Sequence, residues 1–173
     1  MQPQIYPDLN QRLEIALQAR YLPNNQPHQG AIRLFNGFYE GCPDLVADRY
    51  ANTLLLYGYG RDPKSVRALL SQAQDYYLQT LPEIDCVLHK YRSASDLSLR
   101  RGMIVYGEQP AQWIEEHQVR YALDLHLNQD ASFYPDTRNL RAWILENSFG
   151  KNVINLFAYT GSLGVAALSG GAQ

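Results

Sequence analysis

The chain has 173 residues and only two cysteines, Cys42 and Cys86, too few for a disulfide framework and without the paired spacing of a zinc site. Its four histidines, His28, His89, His117 and His126, are scattered, so no His/Cys cluster marks a metal centre. Basic charge is not in excess: 15 Lys and Arg stand against 17 Asp and Glu, giving a net charge of −2. That balance excludes a strongly basic nucleic-acid binder. No apolar run approaches the roughly 20 residues needed to cross a bilayer. Met1 leads into polar, proline-punctuated sequence and not into a signal peptide, so the default expectation is a cytoplasmic protein with no membrane partner. Gly-x-Gly-x-x-Gly spacing is missing, which argues against a dinucleotide binder. Spacing supports no Ser/His/Asp or Cys/His arrangement, and neither repeats nor low-complexity segments occur.

What is present suits an α/β chain. Hydrophobic residues make up 46%, enough for a packed core, and 12 glycines and 9 prolines supply turns. An amphipathic helix is expected from Asp8 to about Tyr21, with Leu9, Leu13, Ala16 and Leu17 as its stripe. Leu22 to Gly30 reads as a linker. Strands are expected at 31–35, 45–47 and 54–59. Asp62-Pro63 then opens a helix, a cap followed by proline at the first helical position, with Val66, Leu69, Leu70, Ala73 and Tyr77 inward. Residues 84–91 read as a strand in which Cys86 is a small core residue. Lys90, Arg92, Arg100 and Arg101 form the one basic cluster, either a solvated loop or a contact for RNA phosphates. Short strands follow at 102–106 and 113–116, and 119–125 alternates with a period of two. Asp136 or Thr137 caps a helix from Arg138 to about Asn147, with Leu140, Trp143 and Ile144 inward.

The most informative stretch is the last. Val153 to Phe157 reads as a short apolar strand, Ala158-Tyr159-Thr160-Gly161 as a tight turn, and Leu163 to Leu168 as a helix stopped by Gly170-Gly171. A first βα turn of this kind lets backbone approach a nucleotide-like cofactor, because glycine has no side chain to hold the ligand away. The same small residues also suit a tightly packed corner.

Asn155-Leu156-Phe157-Ala158-Tyr159-Thr160-Gly161 closely resembles the NLFAYTGGFSVAAL cofactor motif of one branch of the class I S-adenosylmethionine (SAM) methyltransferases. These are the bacterial 23S rRNA methyltransferases that modify cytosine C5 or guanine N7. Upstream, the run from Gln129 to Arg141 is similar to that family's QKTGFFLDxRxNR, and Gly41 to Tyr50 looks like its DGLPGLIVDRYG. The resemblance runs from about Ile32 to Gln173. It implies an α+β intermediate domain over 31–127, after an N-terminal helix and linker over 1–30. The start of a Rossmann-like SAM-binding domain follows over 128–173, with its boundary near 127–138. The implied cofactor is SAM and the implied partner an RNA, most simply rRNA. Departures are Ser162, Leu163 and Gly164 in the last motif, with Asp130 for the family's lysine, Ser132 for a glycine and Pro135 for an aliphatic residue. A cation replaced by Asp130 reverses local charge.

The residues assigned to the cofactor on this resemblance are Phe133, Asp136, Arg138, Phe157, Ala158, Tyr159, Thr160 and Gly161. Arg138 can fork onto the cofactor carboxylate with Asp136 holding it; a capping aspartate beside an exposed arginine is the other reading. Thr160 either bonds the methionine moiety or caps the helix it precedes. No catalytic side chain is assigned, since a sulfonium methyl is already activated and needs chiefly to be oriented. Asp48 and Arg49 read as a structural pair. The acid that holds the cofactor ribose would lie beyond Gln173, so the chain is read as the N-terminal part of a longer methyltransferase, inactive alone. The alternative is a non-catalytic RNA- or protein-binding module with a vestigial methyltransferase tail. Without its sheet neighbours, the 153–157 strand would pair upstream, pair with a second copy, or stay exposed.

Overall fold

The computed structural model describes residues 6–20, 29–156 and 158–173. In chain order the elements are α1 (Leu9–Arg20), β1 (Ala31–Phe35), β2 (Leu45–Tyr50), β3 (Thr53–Gly58), α2 (Pro63–Thr80), β4 (Cys86–Tyr91), α3 (Leu97–Arg101), β5 (Met103–Tyr106), β6 (Trp113–Glu116), β7 (Val119–Ala122), α4 (Arg138–Asn147) and α5 (Ser162–Ser169). Most of the expected linker, residues 21–28, lies outside the described residues, as does Phe157.

Strands β1 to β5 form one sheet in sequential order. Pairing is antiparallel except between β3 and β4, which run parallel because α2 carries the chain back across the sheet. All residues of β2 and β3 are buried, because both faces of the sheet are covered. One face receives α1 and α2. The stripes read from the sequence are the ones that pack: Leu9, Leu13, Ala16 and Leu17 from α1, and Val66, Leu69, Leu70, Ala73 and Tyr77 from α2. Each fully buried leucine there contributes about 1.5–3 kcal/mol. Asp62 caps α2, its carboxylate accepting from the Ser65 amide at 2.9 Å.

The other face receives the β6–β7 hairpin and the 123–134 stretch. Val46, Tyr50, Leu55, Tyr57, Cys86 and Leu88 of the sheet meet Ile114, Tyr121, Leu125, Ala131 and Phe133 there. The stretch expected to separate two domains is thus packed into this core. The expected strand over 119–125 ends at Ala122, where the chain leaves the hairpin to cross the sheet.

Two sequence expectations are corrected. In α4 the only buried side chain is Arg141, while Leu140 and Trp143 are exposed. An apolar period identifies a face that can be covered; here nothing among the described residues covers it. Residues 153–156 form no strand, because no described strand lies beside them to supply a hydrogen-bond ladder, and Ile154 and Leu156 are 83% and 82% exposed. Helix α5 does form, burying Ala166 and Ala167, and the chain end folds back so that the Gln173 amide donates to the Lys151 carbonyl at 2.9 Å.

His89 of β4 is buried and its Nε2 has no partner, and burial pushes its pKa down to about 4. The folded state therefore stays neutral at His89 while the unfolded chain takes up a proton as pH falls below about 6.5. Stability is expected to drop between about pH 6.5 and pH 4, with this contribution flat above that window. Urea denaturation across pH 4–8 should show a shallower acid loss for His89→Leu than for the wild type; identical profiles would remove His89 as the cause.

Candidate functional site

The two segments singled out in the sequence, 128–138 and 158–161, meet in the structure. The first is clamped to the sheet by β4. Lys90 is fully buried and donates from Nζ to the Asn128 carbonyl at 2.8 Å and the Asp130 carbonyl at 2.7 Å. Burial lowers its pKa to about 8. Arg92 donates to the Gln129 carbonyl and pairs with the Asp130 carboxylate at 2.6 Å. The charge reversal expected at Asp130 is therefore answered within the protein. Lys90 and Arg92, read as solvated or RNA-binding, instead hold this loop. They were not separable from Arg100 and Arg101 by sequence, because strand pleat and loop contact decide which cations turn inward.

The second segment is laid onto the first. Tyr159 donates from its hydroxyl to the Ala131 carbonyl at 3.2 Å and accepts from Asn128 Nδ2 at 3.2 Å. Its ring lies against Tyr134, with centroids 5.3 Å apart. These contacts hold Tyr159 at φ 47°, a left-handed conformation that costs a non-glycine residue about 1–3 kcal/mol. Thr160 donates its hydroxyl to the Ser132 carbonyl. It neither caps α5 nor points free; the cap position belongs to Gly161, which has no side-chain cap bond. Gly161 has φ 85°, and among the described residues, its chain neighbours and the adjoining helix backbone aside, no atom lies within 4 Å of where a Cβ would stand. Glycine is thus required by conformation, and the space before it is open. Ala158 begins the turn, its carbonyl accepting from the Gly161 amide.

The remaining candidates separate. Phe133 is buried against Tyr121, ring centroids 5.1 Å apart, and its carbonyl accepts from Tyr50 at 2.8 Å, so its ring acts by shaping the segment. Asp136 and Arg138 are exposed, and no hydrogen bond or ion pair joins them among the described residues. Asp48 and Arg49 do not pair with each other. Neighbours on a strand face opposite ways, and Asp48 takes Arg33 at 2.8 Å while Arg49 takes Glu83 at 2.8 Å. Burial pushes the Asp48 carboxyl up, against the pull of Arg33.

Arg141 is the residue whose importance sequence reasoning missed. It is fully buried and forks onto Glu116, Nε to Oε2 at 2.9 Å and Nη2 to Oε1 at 3.0 Å. Nη1 donates to the Tyr134 carbonyl at 2.9 Å and to Thr137 Oγ1 at 2.5 Å. Its guanidinium sits 3.9 Å from the Phe133 ring centroid. One side chain therefore fixes the 133–137 segment, α4 and the β6–β7 hairpin together. Its place as the last residue of the 129–141 motif was the available signal.

Breaking this pair by Arg141→Ala leaves Glu116 buried and unpaired, at an expected cost of about 3–5 kcal/mol in urea denaturation. The double variant Arg141→Met/Glu116→Leu should recover most of that loss. A single variant costing under about 1 kcal/mol would contradict the role given to the pair.

A sequence profile of the S-adenosylmethionine-dependent methyltransferase family matches residues 34–173. Ribosomal RNA large subunit methyltransferase I of Shewanella amazonensis is 33% identical over 153 residues, covering 81% of this chain and 36% of the relative. The Shigella dysenteriae protein of the same name is 32% identical over 183 residues, covering 95% of this chain and 44% of the relative. The chain thus spans less than half the length of these relatives. Among solved structures, a protein from Streptococcus mutans described as a SAM-dependent methyltransferase superposes with a TM-score of 0.79 at 22% identity, covering 98% of this chain and 44% of that one. A second, described as a methyltransferase in complex with SAH, gives 0.79 at 23% identity over 95% of this chain and 42% of its own. A profile match from residue 34 onward, relatives at about a third identity and a shared fold all converge on the segments joined here, and the chain belongs to the S-adenosylmethionine-dependent methyltransferase family.

Proposed function

We propose that this chain supplies the N-terminal part of an enzyme that transfers a methyl group from SAM to a base of large-subunit ribosomal RNA, with cytosine C5 or guanine N7 as the acceptor atom. The observation that carries this reading is the left-handed Gly161 with open space before it, in a turn bolted to the 128–138 segment by Tyr159 and Thr160. A cradle of this kind, empty of side chain and edged by backbone, fits a cofactor that must approach closely. Ala158 to Gly161 would hold the cofactor through backbone, and the exposed Arg138 would reach its carboxylate with Asp136 beside it. SAM itself brings the activated methyl on its sulfonium. The protein's own work is to hold that group in line with an acceptor and keep the turn rigid, which the Lys90, Arg92 and Arg141 contacts serve. Phe157, assigned with this group, lies outside the described residues. The names of the rRNA methyltransferase relatives support the acceptor class.

Calorimetry is expected to show weak or no SAM binding to the 173-residue chain and clear binding to a protein extended to the relatives' length. In the extended protein, Gly161→Val and Arg138→Ala should each weaken SAM binding, the latter by about 1.5–3 kcal/mol. Wild-type affinity in both variants would overturn the site assignment, and micromolar binding by the short chain would overturn its incompleteness.

We further propose that the chain self-associates through its apolar C-terminal face. Ile154, Leu156, Phe149 and Trp143 are 83%, 82%, 86% and 61% exposed, and large apolar side chains left to water are what an association surface draws on. Sedimentation velocity should show dimers or larger species that Ile154→Asp/Leu156→Asp shifts to monomer. A wild-type chain monomeric at high concentration would refute this.

A further inference from the structure

One end of the sheet carries a cleft that the cofactor turn does not use. It opens where β3 and the parallel β4 end, between the first turns of α2 and the 93–96 loop, and its volume is about 340 Å³. The carboxyl ends of parallel strands are where open α/β sheets take ligands. Arg61 and Arg67 line it, with Ser93 and Ser95 opposite.

The cations around the sheet differ in whether they are paired. Those on the sheet or against it are already paired: Arg33 with Asp48, Arg49 with Glu83, Arg92 with Asp130 and Arg141 with Glu116. Arg61 and Arg67 are exposed and make no side-chain hydrogen bond or ion pair among the described residues. Lys64 lies between them on α2, and Arg100 and Arg101 close α3 on the far side; Arg100 Nε is buried without a partner. Four carboxylates share this end and keep their charge. Asp62 and Asp96 cap α2 and α3, their hydrogen bonds to Ser65 and Ser98 lowering their pKa, Asp44 accepts from the Tyr6 hydroxyl at 3.4 Å, and Glu40 in the β1–β2 turn pairs with Arg20. Arg61, Lys64, Arg67, Arg100 and Arg101 outnumber Asp44, Asp62 and Asp96, with Glu40 offset by Arg20, so this end is locally positive in a chain of net charge −2.

Aromatic faces stand beside it. Tyr59, just past β3, is 40% exposed and lies under the Arg92 guanidinium at 5.6 Å. The β1–β2 turn at the same end of the sheet presents Phe38 and Tyr39, 79% and 80% exposed and stacked edge to face. The larger cleft at the opposite end, about 670 Å³, is edged by Asn52, Asp85, Glu108 and Trp113, and no lysine or arginine is among its described lining residues. Exposed cations and exposed aromatics at one end of a sheet, with Tyr91 lining the cleft itself, suit a single-stranded nucleic acid, phosphates on the cations and unstacked bases on the rings.

We propose that this cleft is a binding surface for single-stranded RNA, with Arg61, Lys64 and Arg67 on its phosphates and Tyr59, Phe38 and Tyr39 available to its bases. It rests on the RNA-methyltransferase reading above and adds to it where the substrate strand runs.

The test is fluorescence anisotropy of a labelled single-stranded RNA of about 20 nucleotides with the 173-residue chain, titrated over a range of salt. Arg61→Ala/Lys64→Ala/Arg67→Ala is expected to weaken binding at least about 10-fold and to reduce the salt slope by about 2, at about 0.7 for each phosphate of a single strand that is no longer neutralised. Lys151→Ala, at the other end of the molecule, should stay within about twofold of wild type, and Arg67→Lys should keep most of the affinity. Duplex RNA should bind more weakly, since its bases are not free to stack. A triple variant that binds RNA like the wild type would overturn the cleft and leave the RNA-methyltransferase reading standing. A wild-type chain that binds no RNA, or whose RNA is displaced equally well by poly-glutamate, would overturn the cleft; SAM-dependent methylation of rRNA by the extended protein would then show separately whether the functional reading survives.

Discussion

The arrangement depends on an ion pair that water never reaches. Arg141 and Glu116 are both fully buried, and the guanidinium satisfies two carboxylate oxygens, a carbonyl and a hydroxyl while lying on the Phe133 ring. Such a pair adds little net stability over apolar residues of the same shape, because desolvating both ions offsets their attraction. What it supplies is geometry. A guanidinium fork fits a carboxylate in few orientations, so α4, the 133–137 segment and the β6–β7 hairpin take fixed positions. A leucine in the same place would tolerate many.

A second clamp works from the sheet. Lys90 and Arg92 emerge from the end of β4 and take the carbonyls of 128–130, which have no strand of their own to satisfy them. The 158–161 turn hangs from this loop through Tyr159 and Thr160. The order of support runs from the buried sheet to β4's cations, then the 128–138 segment, then the 158–161 turn. Left-handed backbone at Tyr159 and Gly161 persists because each end of the turn is held. Charge is divided accordingly: inward cations serve this scaffold, while Arg61, Lys64 and Arg67 stay exposed at the start of α2.

The apolar surface of α4 and residues 149–156 follows from the same logic. Leu140, Trp143, Ile154 and Leu156 are exposed, and no element among the described residues covers them. A helix such as α5 forms anyway, because its hydrogen bonds close within the segment and α4 offers it a surface. A strand cannot, because its bonds close only on a neighbour.

Features set by local chemistry were legible in the chain before it folded. Asp62-Pro63 starts α2, the leucine stripe of α1 marks its buried face, and the 113–116 and 138–147 elements lie where pattern places them. The 158–161 turn, too, was legible, because a glycine turn is written in consecutive residues. The rest waited on the folded arrangement. Asp48 and Arg49 look like a pair and are divided by the pleat, each finding its partner 15 and 34 residues away. Lys90 and Arg100 read as one basic cluster, yet Lys90 is fully buried on the carbonyls of 128–130 while Arg100 sits on α3. Arg141 reads as one more surface cation on a helix whose leucine and tryptophan would turn inward. The reason is common to all three: a charge is buried only where a partner from elsewhere in the chain meets it, and the identity of that partner is set by how the sheet, hairpin and helices come together.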